Sequence, residues 1–364
     1  MRTLLFVLAL TVSPLSTWAD IVPIPHKATW ESNMTSYGAT HCTNMDVLDD
    51  TYYDAHQVNY LIADYTGTGS YNTCAHSART IYRDDYAAAN SYILPGYWIF
   101  TRGLRLDWER NANATSKNAA ESISQNSAYS ADGSCCPAPE GYDPEGVDAS
   151  RETAYSIVSY MDTEAMGYTE RSQKDTYIGY ALGHINQWCV TFTNPIVGQI
   201  WTFKPFMIGL TMRALIQVYE ETPPGSRTAD MLTIPAKIKV ALDCLMSGSL
   251  PGAMAGQGAW LSADEAFFYS IEAEPSTCGA TPCIEFPAAD LNLLVAPAFA
   301  WYYKHSGNTT YRTWGDAVFS GGVTQAYLTD PKIFNQNYTW SFDYVTWREA
   351  ADAQYNQKGG DLGM

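Results

Sequence analysis

Basic residues are scarce in this chain: 21 Lys and Arg stand against 38 Asp and Glu, for a formal charge of −17. Without a basic surplus the attraction on which phosphate-backbone binding rests is missing, so nucleic acid is a poor partner. The same balance weighs against a polyanionic substrate. Long apolar runs are lacking as well. A transmembrane helix needs about 20 apolar residues; the run at 4–12 is too short and no later segment qualifies, so no membrane span is expected and the mature chain should be soluble. There is no CxxC or Cys/His spacing of a zinc site, no GxSxG nucleophile elbow and no glycine-rich phosphate loop. Neither a metal ion nor another cofactor is therefore expected, and Ser-His-Asp chemistry finds no support. Sustained two-residue alternation, the mark of half-buried strands, is hard to find.

What is present begins with a leader. Met1, Arg2 and Thr3 precede the apolar run, and small residues follow up to Ala19, which reads as a secretory signal peptide over 1–19 with cleavage before Asp20. The product is expected to be secreted or periplasmic, with 20–364 folding as one domain. Eight cysteines (Cys42, Cys74, Cys135, Cys136, Cys189, Cys244, Cys278 and Cys283) favour disulfides in an exported chain. They could pair in about 105 ways, and the sequence does not choose among them. Cys278 and Cys283 could close a short loop, while the adjacent Cys135 and Cys136 are better placed to reach distant partners. Sequons stand at Asn33, Asn113, Asn308 and Asn337.

Apolar residues at three- and four-residue spacing predict helices over 46–65, 72–88, 97–110, 115–130, 149–166, 170–190, 204–221, 231–247, 290–305, 310–327 and 336–353. A repeated phrase ends every second helix and starts the next. Ile62-Ala63-Asp64-Tyr65-Thr66-Gly67 precedes Ser70, and Trp301-Tyr302-Tyr303-Lys304-His305-Ser306-Gly307-Asn308 precedes Tyr311. Gly or Asn after an apolar helix end is a C-cap signal, and a following Asn, Ser or Thr starts the partner. Tight helical hairpins therefore repeat. The other connections, 129–149, 190–203 and 248–289, are long and rich in Gly, Pro, Ser and Cys, which puts the variable loops at one end. Six odd-numbered helices can be drawn but only five even ones, leaving 347–357 to complete the sixth hairpin.

The hairpin phrase, the run at 204–219 and the run at 290–303 together resemble the six-hairpin glycosidase-type (α/α)6 toroid superfamily. The resemblance is one of architecture over most of the mature chain, and it carries no catalytic motif. It implies an all-α (α/α)6-type barrel whose mouth holds a cleft lined by aromatics and carboxylates. The function it implies is glycan hydrolysis or, less often, β-elimination on a polysaccharide or oligosaccharide.

Hydrolysis of a glycosidic bond needs two carboxyl groups, one protonated and one ionised. Asp54 and Glu152 are the first candidates, since both are read one turn into an apolar helix where burial raises a pKa. Acidic residues in first turns also serve simply to complement the helix dipole. Asp343, Asp264 and Glu265 are held in reserve. Aromatics make up 13% of the chain, enough to supply sugar-stacking faces, and Tyr97, Trp98, Trp188, Trp201, Trp260 and Trp340 fall near the proposed mouth with Arg151, Tyr155 and His184. A lyase would use a Tyr or His base and a cationic or amide neutraliser, for which His184, Tyr155, Arg151, Asn186 and Lys204 are available. A secreted glycan-binding protein without turnover is the third reading.

Overall fold

The computed structural model describes residues 22–127, 146–191, 202–246, 258–272 and 283–361. The leader, Cys135, Cys136, Trp201 and Cys278 lie outside them. Helices dominate in chain order: α1 (Lys27–Asn44), α2 (Ala55–Thr66), α3 (Ser70–Arg79), α4 (Arg102–Asn111), α5 (Ala114–Asn126), α6 (Ser150–Ala165) and α7 (Lys174–Asn186) come first. They are followed by α8 (Pro205–Glu221), α9 (Ala229–Met246), α10 (Asn292–Ser306), α11 (Thr309–Gln325), α12 (Pro331–Tyr338) and α13 (Ser341–Asp361). The fold is all-α. No described helix is long and apolar enough to cross a membrane.

Burial divides the helices into two kinds. α8 is buried on every side from Pro205 to Val218, and α10 from Asn292 to Trp301. By contrast α9 buries one stripe, Met231, Ile234, Ile238, Ala241, Leu242, Cys244 and Leu245, at the spacing of a single helix face. The deeply buried set packs neighbour to neighbour: α2 on α4, α4 on α6, α6 on α8, α8 on α10 and α10 on α13, while α12 touches α2. A Cβ on Gly209 of α8 would come within 2.8 Å of the Leu294 carbonyl oxygen, so glycine is what lets α8 and α10 approach this closely. The second set lies against the first in tight hairpins, α3 on α2, α5 on α4, α7 on α6, α9 on α8 and α11 on α10. Gly67 and Gly307 take left-handed φ at the hairpin turns after α2 and α10. Asn113 and Asn308 cap the returning helices by accepting backbone N–H bonds.

One helix, α1, is missing from those that the sequence predicts. Residues 347–357 belong to α13, and α1 packs on α12, α3 and α11 instead. Trp30 anchors it: its Nε1 donates to Ser341 Oγ at 3.0 Å, its carbonyl accepts from Tyr338 Oη at 2.7 Å, and its ring meets Phe342 edge-on at 5.0 Å. Cys42–Cys74 staples α1 to α3, and Cys189–Cys244 staples the π-helical end of α7 to α9. Two further departures lie in the long connections, which carry short antiparallel strands where only loops are expected. β1 (Thr202–Phe203) pairs with β4 (Ile271–Glu272), which pairs with β5 (Cys283–Ile284); β2 (Trp260–Leu261) pairs with β3 (Ala266–Phe267). Asn337 is buried and donates to the Asp290 and Ile333 carbonyls, so its sequon is closed to modification.

Candidate functional site

Two windows predicted as unbroken helices, 46–65 and 97–110, are both interrupted. The first is a 3-10 turn at Leu48–Thr51 followed by Tyr53 and Asp54, consecutive non-glycine residues at φ 62° and 59°, before α2 starts at Ala55. Left-handed backbone at such residues costs about 1–3 kcal/mol each and persists only where the surroundings impose it. What imposes it is the Asp54 carboxylate. Oδ1 accepts from Gln57 N at 3.1 Å and caps α2, while Oδ2 accepts from Gly103 N at 2.8 Å and ties in the first turn of α4. A Cβ on Gly103 would collide with Asp54 Oδ1 and sit 2.7 Å from Gln57 N, so only glycine admits the carboxylate. Asp54 is thus an N-cap rather than a residue one turn inside a helix. Burial pushes its carboxyl up to about 6 against the lowering effect of these two bonds.

The second interruption is a 3-10 turn at Gly96–Trp98 with irregular backbone up to Thr101. Tyr82, on a π-helical stretch that continues α3, fixes it: Oη donates to the Trp98 carbonyl at 2.6 Å and accepts from Phe100 N at 3.0 Å. Together the two interruptions open a groove of about 660 Å3 lined by Asp49, Asp50, Tyr52, Tyr97, Trp98, Arg151, Asp330, Pro331 and Lys332. Tyr97 is 41% exposed there, with the Arg151 guanidinium 5.5 Å from its ring centroid, and Lys332 Nζ stands 5.1 Å from the Tyr52 ring. A narrow pocket of about 20 Å3, room for one water molecule, lies among Tyr53, Asp54, Phe100, Arg102, Tyr155 and Trp340.

Glu152 and Tyr155 stand in the first turns of α6 beside this groove. Glu152 is 3% exposed, and its Oε1 accepts from Arg151 Nε at 3.0 Å and also from Nη2. Its other oxygen, Oε2, is buried with no hydrogen-bond partner among the described residues, and so is the Tyr155 hydroxyl. Such groups cost about 1–3 kcal/mol each when left unpaired. Burial drives the Tyr155 phenol well above its ordinary range, against the pull of Arg151. Tyr52, Tyr53 and Tyr269 share this environment. Tyr53 feels Tyr52, Arg151, Tyr269 and Asp290, and burial pushes Tyr52 up to about 12. Asp290 accepts from Gln336 Nε2 through its carbonyl at 2.7 Å and through Oδ2 at 3.1 Å.

Beneath the groove the charges are paired. Asp162 of α6 accepts from Thr101 Oγ1 at 2.9 Å, Arg102 Nη1 at 2.8 Å, Arg105 Nη1 at 3.3 Å and Gln217 Nε2 at 3.2 Å. Glu221 of α8 takes the same two arginines at 3.1 and 2.8 Å. Asp343 accepts from Arg213 Nε at 2.8 Å, and that guanidinium covers the Trp340 ring at 4.4 Å. Asp343 is therefore a structural ion-pair partner in this state, and the buried Trp340 supports Arg213.

The structure brings Asp54, Tyr97, Trp98, Arg151, Glu152, Tyr155, Trp340 and Asp343 to the same ends of the buried helices. It places the other candidates elsewhere. His184 and Trp188 are fully buried on and after α7, and Trp188 Nε1 donates to the Thr202 carbonyl at 2.8 Å. Trp260 is half-buried against Phe267 at 5.0 Å. Asp264 and Glu265 are exposed in the β2–β3 turn, where their carbonyls accept from Gln325 and Asn292. Tyr52 and Tyr269 are absent from the sequence-based candidates because nothing local sets them apart among 26 tyrosines. Asp290, at the start of a buried helix, is distinguished only by its position. Compared with known proteins, the chain matches no family model, and neither a curated protein nor a solved structure is similar to it.

Proposed function

We propose that this chain is an exported glycoside hydrolase built on an (α/α)6 barrel, with its site at the groove beside the first turn of α6. Closure of the barrel is supported by the sequence of neighbours from α2 through α4, α6, α8 and α10 to α12 and α13 and back to α2. With α1 as the sixth outer helix, every inner helix has a partner. Export is supported by the leader and by two disulfides.

The observation that carries the chemical reading is the pair of buried, unpartnered polar atoms, Glu152 Oε2 and Tyr155 Oη, beside a groove edged with tyrosines and a tryptophan. Sugar hydroxyls supply both donors and acceptors and would satisfy these atoms, while a sugar ring face stacks on the exposed Tyr97. Arg151 holds one oxygen of Glu152 and leaves the other to react. Asp290 is the second carboxyl of the pair: its Oδ1 accepts no bond among the described residues and it shares Tyr53 and Tyr269 with Arg151. Asp54, with both oxygens engaged by backbone N–H groups, positions the corner that carries Tyr53.

β-Elimination is the second reading, favoured by the bare Tyr155 hydroxyl close to Arg151. Burial keeps that phenol protonated, which opposes its use as a base and ranks hydrolysis first. Incubation of the mature protein with neutral and acidic polysaccharides separates the readings. The hydrolase releases reducing ends without the ultraviolet absorbance of an unsaturated uronate. Absorbance appearing with the reducing ends identifies the lyase, and binding without either product leaves a glycan-binding protein.

A further inference from the structure

Three aromatic rings form a ladder beside the groove. Phe206, in the first turn of α8, stacks under Tyr269 with ring centroids 5.6 Å apart and planes 26° from parallel; Phe286 stacks on Tyr269 at 5.6 Å and 16°. Phe206 is buried, Tyr269 is half-buried and Phe286 is 65% exposed, so the ladder runs from the core to the surface. The backbone holds it rigid: Tyr269 N donates to the Phe286 carbonyl at 2.9 Å, and Glu285 N donates to the Ser270 carbonyl at 2.9 Å. An exposed phenyl ring fixed in orientation by a stack beneath it costs little further entropy on binding a second flat apolar face.

We infer that Phe286 is a stacking platform for one pyranose ring of a neutral polysaccharide, a subsite beyond the groove that makes the protein bind a chain several sugars long. The inference rests on the glycan reading above and names its substrate class. Continuity with the groove runs through Tyr269, whose hydroxyl feels Arg151 together with Asp290 and Glu285. Two carboxylates against one guanidinium make that surroundings hostile to a uronate and acceptable to an uncharged sugar. Glu285 and Ser270, bonded to each other at 2.9 Å beside the ring, supply polar edges for sugar hydroxyls.

The test uses Glu152→Gln protein, so that turnover does not consume the ligand, in affinity electrophoresis through gels cast with mannan, xylan, β-glucan, starch or polygalacturonate. Retardation by at least one neutral polymer, weakened about 5- to 10-fold in Phe286→Ala and restored in Phe286→Trp, is the expected result. Phe286→Ala binding as tightly as its parent overturns the subsite, as does retardation by polygalacturonate alone or by no polymer. Sedimentation of both variants checks the competing use of the ring, because a loss of self-association in Phe286→Ala would assign it to a second copy of this chain. Wild-type protein that releases no product from a polymer it binds through Phe286 would refute the hydrolase reading and leave the subsite standing.

Discussion

The upper and lower parts of the deeply buried helices are built differently. Toward the far ends of α6 and α8, Asp162 receives four donors and Glu221 two, and Arg102 and Arg105 are shared between them. At the near ends, Glu152 and Tyr155 each keep a buried atom without a partner, and Tyr53 and Asp54 hold left-handed backbone. In the lower part the donors around Asp162 offset the cost of burying its charge, so removing one partner is costly. The upper part is the less stable arrangement and survives because Asp54, Gly103 and Tyr82 lock it from behind. Unpartnered buried atoms also occur at His56, Thr211 and Gln217; what sets the upper part apart is that Glu152 Oε2 and Tyr155 Oη coincide with the left-handed Tyr53 and Asp54 beside a groove.

The comparison breaks most severely at Asp162. Replacing it with Ala removes the buried acceptor of Thr101 and Gln217 and leaves the partly buried Arg102 and Arg105 to Glu221, and chemical denaturation should show a loss of about 3 kcal/mol. An equally stable variant would mean that the lower cluster is not the foundation it is taken to be.

A smaller effect comes from Asp54, and its sign is set by pH. Burial raises its folded-state pKa to about 6, above the roughly 3.9 of an unfolded aspartate. Its contribution is fully present below about pH 4 and is lost as pH rises through about 6, a change of roughly 2–3 kcal/mol. Denaturation of wild-type protein and Asp54→Asn should therefore differ in slope between pH 4 and 7, the wild type losing stability that the variant has no titrating group to lose. Asp107 provides a contrast in the lower pH range. Despite burial, bonds from Ser116, Asn111 and Tyr60 hold its carboxyl down to about 2, so its contribution is present above about pH 4 and lost as pH falls through about 2.

Much of the helical framework can be read from the chain, for identifiable reasons. α8 and α10 are apolar all round, and the hairpins announce themselves through Gly67, Gly307, Asn113 and Asn308. α1 cannot be read this way, because it buries only Trp30, Met34, Gly38 and His41 and presents no apolar stripe. The breaks at Tyr53–Asp54 and at Gly96–Thr101 were equally hidden. No glycine marks the first, and the helical spacing of apolar residues continues across both. Those breaks form the groove, so the parts of the site that depend on them, Tyr52 and the clamp role of Asp54, emerge only from long-range contacts with Gly103 and Tyr82. Glu152, Arg151 and Tyr155, candidates drawn from a segment whose helix start is legible, do stand together in the first turns of α6.

The most direct measurement sets turnover against stability in Glu152→Gln. On a polysaccharide that the wild-type protein cleaves, the variant should lose about 10²–10⁴-fold in kcat, while its unfolding free energy stays within about 1 kcal/mol of the parent, because Gln keeps an oxygen that accepts from Arg151. Retained turnover, or a loss of activity matched by a collapse in stability, would contradict the claim that Glu152, with its bare oxygen at the start of α6, carries turnover.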